Sequence, residues 1–255
     1  MNPRPYILAE TNWKYIKDQK FDLAILPWGA TEAHNYHMPY ATDNIQCDFI
    51  AAAAAKEAWE RGSKIIVLPT VPFGVNTGQS DILLDLNINP STQAAIIKDL
   101  VEVLHRQAIN KLLILNGHGG NNFRTIIREI GYQYPDMFIS TCDWFRAVNW
   151  HDYFEDPGDH AGEMETSVTM HIAPHLVLPL SEAGDGAERK HKIKGIREGW
   201  AWAERKWSAI SKDTGVGNPY PATPEKGKIY IDAVVSQLSS LFEDLANADI
   251  NDLYD

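Results

Sequence analysis

Short apolar runs alternate with longer helical stretches along this chain. Residues 23–26 (LAIL), closed by Pro27, are apolar throughout and read as a buried parallel strand. Residues 64–68 (KIIVL), stopped by Pro69, and residues 111–115 (KLLIL) read the same way, and residues 138–142 are a further strand candidate. Helical stretches fall between them: about 44–61, which includes an alanine-rich run, then 91–108 with Ser91 as its N-cap, and a third ending near residue 134. A short helix is expected within residues 10–20, a side strand over 82–88, a helix over 160–171 and a closing amphipathic helix over 223–246. Residues 144–159 are aromatic and acidic without a regular period. Residues 182–217 are polar with three tryptophans and suit a flap. Strands that alternate with helices of ten or more residues imply βαβ units, hence an α/β fold with a mainly parallel central sheet between helical layers. No linker or repeat divides residues 1–255, which are read as a single domain.

The loops after the strands carry the chemistry. The first strand runs into WGATEAHNYHMPYATD, where Glu32, His34, His37 and Asp43 follow one another on a loop. Carboxylates and imidazoles just beyond the carboxyl end of a buried strand lie where open α/β sheets bind ligands, and these donors suit zinc, manganese or iron. The same acids also suit a solvated loop, with Asp43 capping the next helix. The strand at 111–115 enters NGHGGNN, where glycines let backbone approach a ligand closely and His118 stands at the same sheet edge. The third motif is HAGEMETS, from His160. A helix starting there puts Glu163 near His160 and turns Glu165 away, so one acid can hold a metal while the other orients a water or ligand. The plainer alternative is acids that favour a helix N-terminus. No GxSxG, Walker loop or strand-linked GxGxxG competes with these motifs.

Composition narrows the class. A net charge of −11 argues against nucleic-acid and anionic-membrane partners, which need clustered Lys and Arg. No apolar run is long enough to span a bilayer, the start lacks a signal-peptide core, and the two cysteines, Cys47 and Cys142, form no CxxC pair. A cytoplasmic enzyme with a small-molecule substrate is the expectation.

With these three motifs in order, and GVGNPYPATPEKGK near the end, the chain resembles the creatininase (creatinine amidohydrolase) family. The resemblance implies a creatininase-like three-layer fold, a site for two divalent metal ions, hydrolysis of a cyclic or linear amide by metal-activated hydroxide, and a homo-oligomer, usually a hexamer. Carried over by position, Glu32, His34, Asp43 and His118 match the family's metal ligands, with Asp43 as the bridge. His160 and Glu165 match substrate-facing residues that help with proton transfer. In creatininase itself a glutamate two residues after the matching histidine completes the second metal. That position is Gly120 here, and Glu163 is the expected substitute ligand. The segment VNTGQSD lacks a histidine that many relatives carry, which leaves the substrate open. The alternatives are a hydrolase of a cyclic keto-sugar such as 3-dehydro-scyllo-inosose, by C–C cleavage, and a non-catalytic scaffold subunit.

Overall fold

Four parallel strands, β1 (Leu23–Trp28), β2 (Ile65–Val67), β3 (Lys111–Asn116) and β4 (Phe138–Asp143), pair in the order β2-β1-β3-β4. The computed structural model describes residues 3–254. Side chains alternate across a strand, and here both faces are apolar. Leu23, Ile25, Leu113 and Leu115 join one buried cluster, and Ala24, Leu26, Trp28, Leu112 and Ile114 join the other. An all-parallel sheet buried on both faces needs a helical layer on each.

The helices in chain order are α1 (Trp13–Ile16), α2 (Thr42–Glu60), α3 (Pro90–Arg106), α4 (Arg124–Gln133), α5 (Glu163–Ile172), α6 (Lys194–Arg197), α7 (Trp207–Ile210) and α8 (Pro224–Asn247). Ile50, Ala51, Ala54 and Ala55 of α2 pack with Tyr230, Val234 and Leu238 of α8 on one face, where Met164 and Val168 of α5 join them. The small alanine side chains let α2 lie close to its neighbours. Ile97 and Val101 of α3 and Ile126 and Ile130 of α4 cover the other face. Among the described residues no helix is long and apolar enough to cross a membrane.

Several boundaries differ from expectation, each for a local reason. Within residues 10–20 the α-helix is confined to the four residues of α1, capped by Asn12, whose side chain accepts from Tyr15 N, and Glu10 ends a 3-10 turn. Residues 82–88 form no strand. Leu86 and Asn87 make single bridges to Thr31 and Gly74, while Leu83 and Leu84 are exposed and Leu84 has a φ of 63°. The N-cap of α3 is Asn89, not Ser91, because Pro90 takes the first helical position where its missing N–H costs nothing. Helix α5 starts at Glu163 rather than His160, since Ala161 (φ 52°) and extended Gly162 interrupt the helical path. The aromatic segment 144–159 holds two 3-10 turns, and its Trp144 and Phe154 are buried in the α2–α8 face.

Candidate metal centre

The chain steps outward from β1 to β2, then returns across β1 to build β3 and β4 on its other side. Such a reversal opens a crevice at the carboxyl ends of the two central strands. Trp28 and Asn116 are register partners at those ends, so the loops after β1 and β3 leave the sheet side by side. Gly29 lets the first turn of α2 close onto them: a Cβ there would lie 2.3 Å from Asn44 Oδ1 and 2.9 Å from Asn44 N. The close approach brings Asp43 of α2 to the loop that carries Glu32 and His34.

Six side chains converge in this crevice. His118 Nδ1 lies 2.9 Å from Glu32 Oε1 and 3.1 Å from Asp43 Oδ2, and His34 Nε2 lies 3.0 Å from Asp43 Oδ1. His160 Nδ1 is 3.8 Å from Glu32 Oε1, and its ring stacks at 4.1 Å on that of His34. Three donor sets each bring one atom per residue within 4.8 Å of the others: Glu32, Asp43 and His118; His34, Asp43 and Glu165; Glu32, His34 and His160.

The ring nitrogens turned away from the cluster decide whether these residues suit a cation. His34 Nδ1 sits 3.1 Å from Glu32 O, His118 Nε2 3.1 Å from Val75 O, and His160 Nε2 2.9 Å from Ala33 O. A carbonyl only accepts, so each of those nitrogens is an N–H donor. The opposite nitrogen, which faces the carboxylates, is then the one free to ligate a cation once its proton is displaced, the usual support behind a metal-ligating histidine. Buried His34 Nε2 and Asp43 Oδ2 have no aligned hydrogen-bond partner, although opposite groups lie about 3 Å away. Buried polar atoms are rarely left so. Atoms that meet at this range without hydrogen-bond alignment fit a shared cation.

The electrostatics are those of lone pairs for which protons and cations compete. Burial alone would raise the Glu32 and Asp43 acids, yet the neighbouring imidazoles hold both below the ordinary carboxylate range. Burial would likewise lower His34 and His118, but the facing carboxylates outweigh it, taking His34 up to about 10 and His118 well above its usual value. Glu165 is pushed up, chiefly by burial, with the charge of Asp43 adding to it.

Glu163, expected here as a ligand, does not join the cluster. Its Oε2 accepts from the backbone N–H groups of Glu155 and Asp156 at 3.0 and 3.1 Å, and its Oε1 accepts from Lys226 Nζ at 2.5 Å. With α5 beginning at Glu163, about 100° of rotation per residue sends Glu165 to the opposite side, into the crevice. There its Oε2 accepts from Ala161 N at 2.5 Å. Gly120 has no room for a ligand of its own, since a Cβ would lie 2.4 Å from Val75 O and 2.5 Å from His118 Nε2.

Other residues at the site gave no sequence signal as ligands. Asn116 braces the loop after β3, donating to His118 O and Asp143 Oδ1 while accepting from His118 N and Asn121 Nδ2. Gln79 Nε2 donates to Glu32 Oε2, and the Asn76 amide reaches within 3.2 Å of the same oxygen. Both come from the VNTGQSD loop. Asp85 accepts from Ala33 N at 2.6 Å, and its burial lifts the acid to about 6. His37, the other histidine of the first motif, hydrogen-bonds Thr166 Oγ1 at 3.0 Å and belongs to none of the three sets.

A cavity of about 1260 Å³ opens above the cluster. Its walls include Trp150, Trp202, Trp207 and Arg124. Of the three tryptophans in residues 182–217, Trp207 alone is buried, its ring edge-on to His160 at 5.3 Å and its Nε1–H donating to Thr214 O. Trp200 and Trp202 project into solvent.

Fold and donor set together define an α/β protein that gathers carboxylates and imidazoles for metal ions at the switch point of a parallel sheet. The chain belongs to the creatininase family: the family model, creatinine amidohydrolase, matches residues 9–242. A solved protein of Bacteroides fragilis NCTC 9343, provisionally named creatinine amidohydrolase, is 46% identical over the whole of both chains with a TM-score of 0.92. The mycofactocin precursor peptide peptidase of Mycobacterium ulcerans (strain Agy99) is 26% identical over 215 residues, 80% of this chain and 78% of its own. Creatininase in its manganese form, and a creatininase mutant of Zn-Zn type, share the fold at 18% identity, with a TM-score of 0.76 over 95% of this chain and 99% of that one. The protein is therefore a hydrolase of this family with residues placed to hold metal.

Proposed function

We propose that the protein is a dinuclear metal-dependent amidohydrolase, with Asp43 shared between two divalent ions. The observation that carries this is the membership of Asp43 in two donor sets, one with Glu32 and His118 and one with His34 and Glu165. Each set supplies at least one imidazole and two carboxylates, a combination suited to zinc, manganese or iron. Glu165 thereby takes the part that, by the resemblance, the glutamate two residues after the matching histidine plays in creatininase. Ions held there would supply Lewis acidity to a substrate carbonyl and a water acidic enough to attack near neutral pH.

The chain's own residues do the rest. Carbonyls of Glu32, Val75 and Ala33 keep the three rings in the tautomer that faces the site. His160 Nδ1, the lone pair beside Glu32, takes a proton from the attacking water and returns it to the leaving nitrogen. Trp207 against the His160 ring limits the positions that ring can take and keeps bulk water off it.

The cavity is open to solvent and its walls reach from the cluster out to Trp150, Trp202 and Arg124, which leaves room for a linear amide of some length; the likeness to peptide peptidases supports the same reading. A homo-oligomeric assembly, a hexamer as in the resemblance, belongs to the same proposal. The test is a substrate panel for the metal-loaded protein: N-formyl amines, short peptides, lactams, cyclic keto-sugars and creatinine. The expected result is a linear amide turned over with kcat/KM at least about tenfold above creatinine. Creatinine or a keto-sugar as the best substrate would overturn the linear-amide reading.

A further inference from the structure

The segment from Glu155 to Glu165 is a closed loop tied across its base by a side chain. Glu163 has no exposed surface, and its carboxylate accepts three hydrogen bonds: from the N–H groups of Glu155 and Asp156, where the loop begins, and from Lys226 on the first turn of α8. Lys226 Nζ also donates to Pro221 O at 3.1 Å. The loop is tight: Pro157 O accepts from Met164 N, and a Cβ on Gly162 would lie 2.7 Å from Pro157 O and 2.9 Å from Gly158 Cα. At its far end stand the two groups that face the metal centre. His160 points its ring into the cluster, and Ala161, held at a φ of 52°, gives its N–H to Glu165 Oε2 at 2.5 Å.

The two glutamates of one helical turn therefore hold opposite ends of one loop. Glu163 fixes the base, and Glu165 receives the amide from the tip. A buried carboxylate with three charge-assisted bonds is a strong and stereospecific anchor. Losing its charge leaves a lysine and two backbone N–H groups short of their acceptor.

We propose that Glu163, with Lys226, is a positioning residue that sets the placement of Glu165 and His160 at the metal centre without touching an ion. The inference rests on the metal reading above. Groups one shell away from a ligand typically alter metal affinity 10- to 100-fold when changed, and that is the size of effect assigned to this clamp.

The experiment loads the full-length wild type, Glu163→Gln, Lys226→Met and Lys226→Arg with cobalt(II) and reads stoichiometry, affinity and the visible ligand-field spectrum, with far-UV circular dichroism to confirm folding. The proposal predicts wild-type stoichiometry in every folded variant. It also predicts a changed spectrum and a roughly 10- to 100-fold weaker affinity in Glu163→Gln and Lys226→Met. Lys226→Arg, which keeps the charge, returns spectrum and affinity towards wild type. A merely structural role would lower thermal stability and leave the spectrum alone. Should Glu163→Gln fail to fold, the two Lys226 variants carry the test unchanged. Wild-type spectra in folded Glu163→Gln or Lys226→Met would overturn the proposal. So would loss of one ion per chain in Glu163→Gln alone, which would make Glu163 a ligand. A wild type that takes up no cobalt would overturn the metal reading, and this inference with it.

Discussion

At the scale of single residues, the three site histidines each give one ring nitrogen to a backbone carbonyl and turn the other to the carboxylates. With His34 raised to about 10 by Asp43 against the effect of burial, its ring holds a proton at neutral pH that an ion must displace. The sign follows: below the raised value the ring is charged, so affinity for divalent ions climbs as pH rises and binding releases protons. Calorimetric titration with zinc at pH 7 in two buffers of different ionisation enthalpy should show at least one proton released per chain, and zero release would contradict this pairing. Gly120 makes a second prediction at this scale. Its missing side chain is what lets His118 reach Val75 O, so Gly120→Ala should weaken zinc affinity about tenfold or more, the usual size for a disturbed supporting contact. Unchanged affinity would show that the ring does not depend on that space. Glu32, His34 and His118 follow strand ends closely and Asp43 opens the helix after the first motif, which is why the sequence brings them forward as candidates. The tie of Glu163 to Lys226, 63 residues away, and the turn of Glu165 into the crevice were not legible, because they depend on where α5 starts.

At the scale of elements, the strands were read close to their true bounds, since an unbroken apolar run has few other uses in a parallel sheet, although β1 continues through Pro27, expected to close it, to Trp28. The expected strand at 82–88 failed for want of a partner. Its alternation is real, but Leu83 and Leu84 face solvent and only isolated bridges form. The NGHGGNN loop looked like a glycine turn, yet its shape rests on asparagines: Asn116 and Asn121 are hydrogen-bonded to each other, and Asn121 Oδ1 further accepts from Val75 N and Gln93 Nε2. Nothing in one sequence marks such cross-bracing, because its partners come from three separate elements. Asn116→Ala should lower stability by about 1–3 kcal/mol, as expected when buried groups lose their partners, and should weaken metal binding through His118. Urea denaturation beside a zinc titration checks both. A variant with wild-type stability would remove Asn116 from the frame of the site.

At the scale of the whole molecule, the strand order β2-β1-β3-β4 explains why residues as far apart as Glu32 and His118 share one crevice. Strands alternating with helices implied a parallel sheet, but the order of the strands, and so the switch point, came only with the structure. The site is completed from the outside by α5 and Trp207, elements without strand-like regularity that the sequence left as a helix and a flap. The central claim is that one carboxylate, Asp43, serves two ions. Elemental analysis of the zinc- or manganese-loaded and dialysed protein tests it most directly, with Asp43→Asn beside the wild type. The account predicts about two ions per wild-type chain and a loss of both in folded Asp43→Asn. A wild type that retains one ion or none, or an Asp43→Asn variant that keeps two, would contradict it.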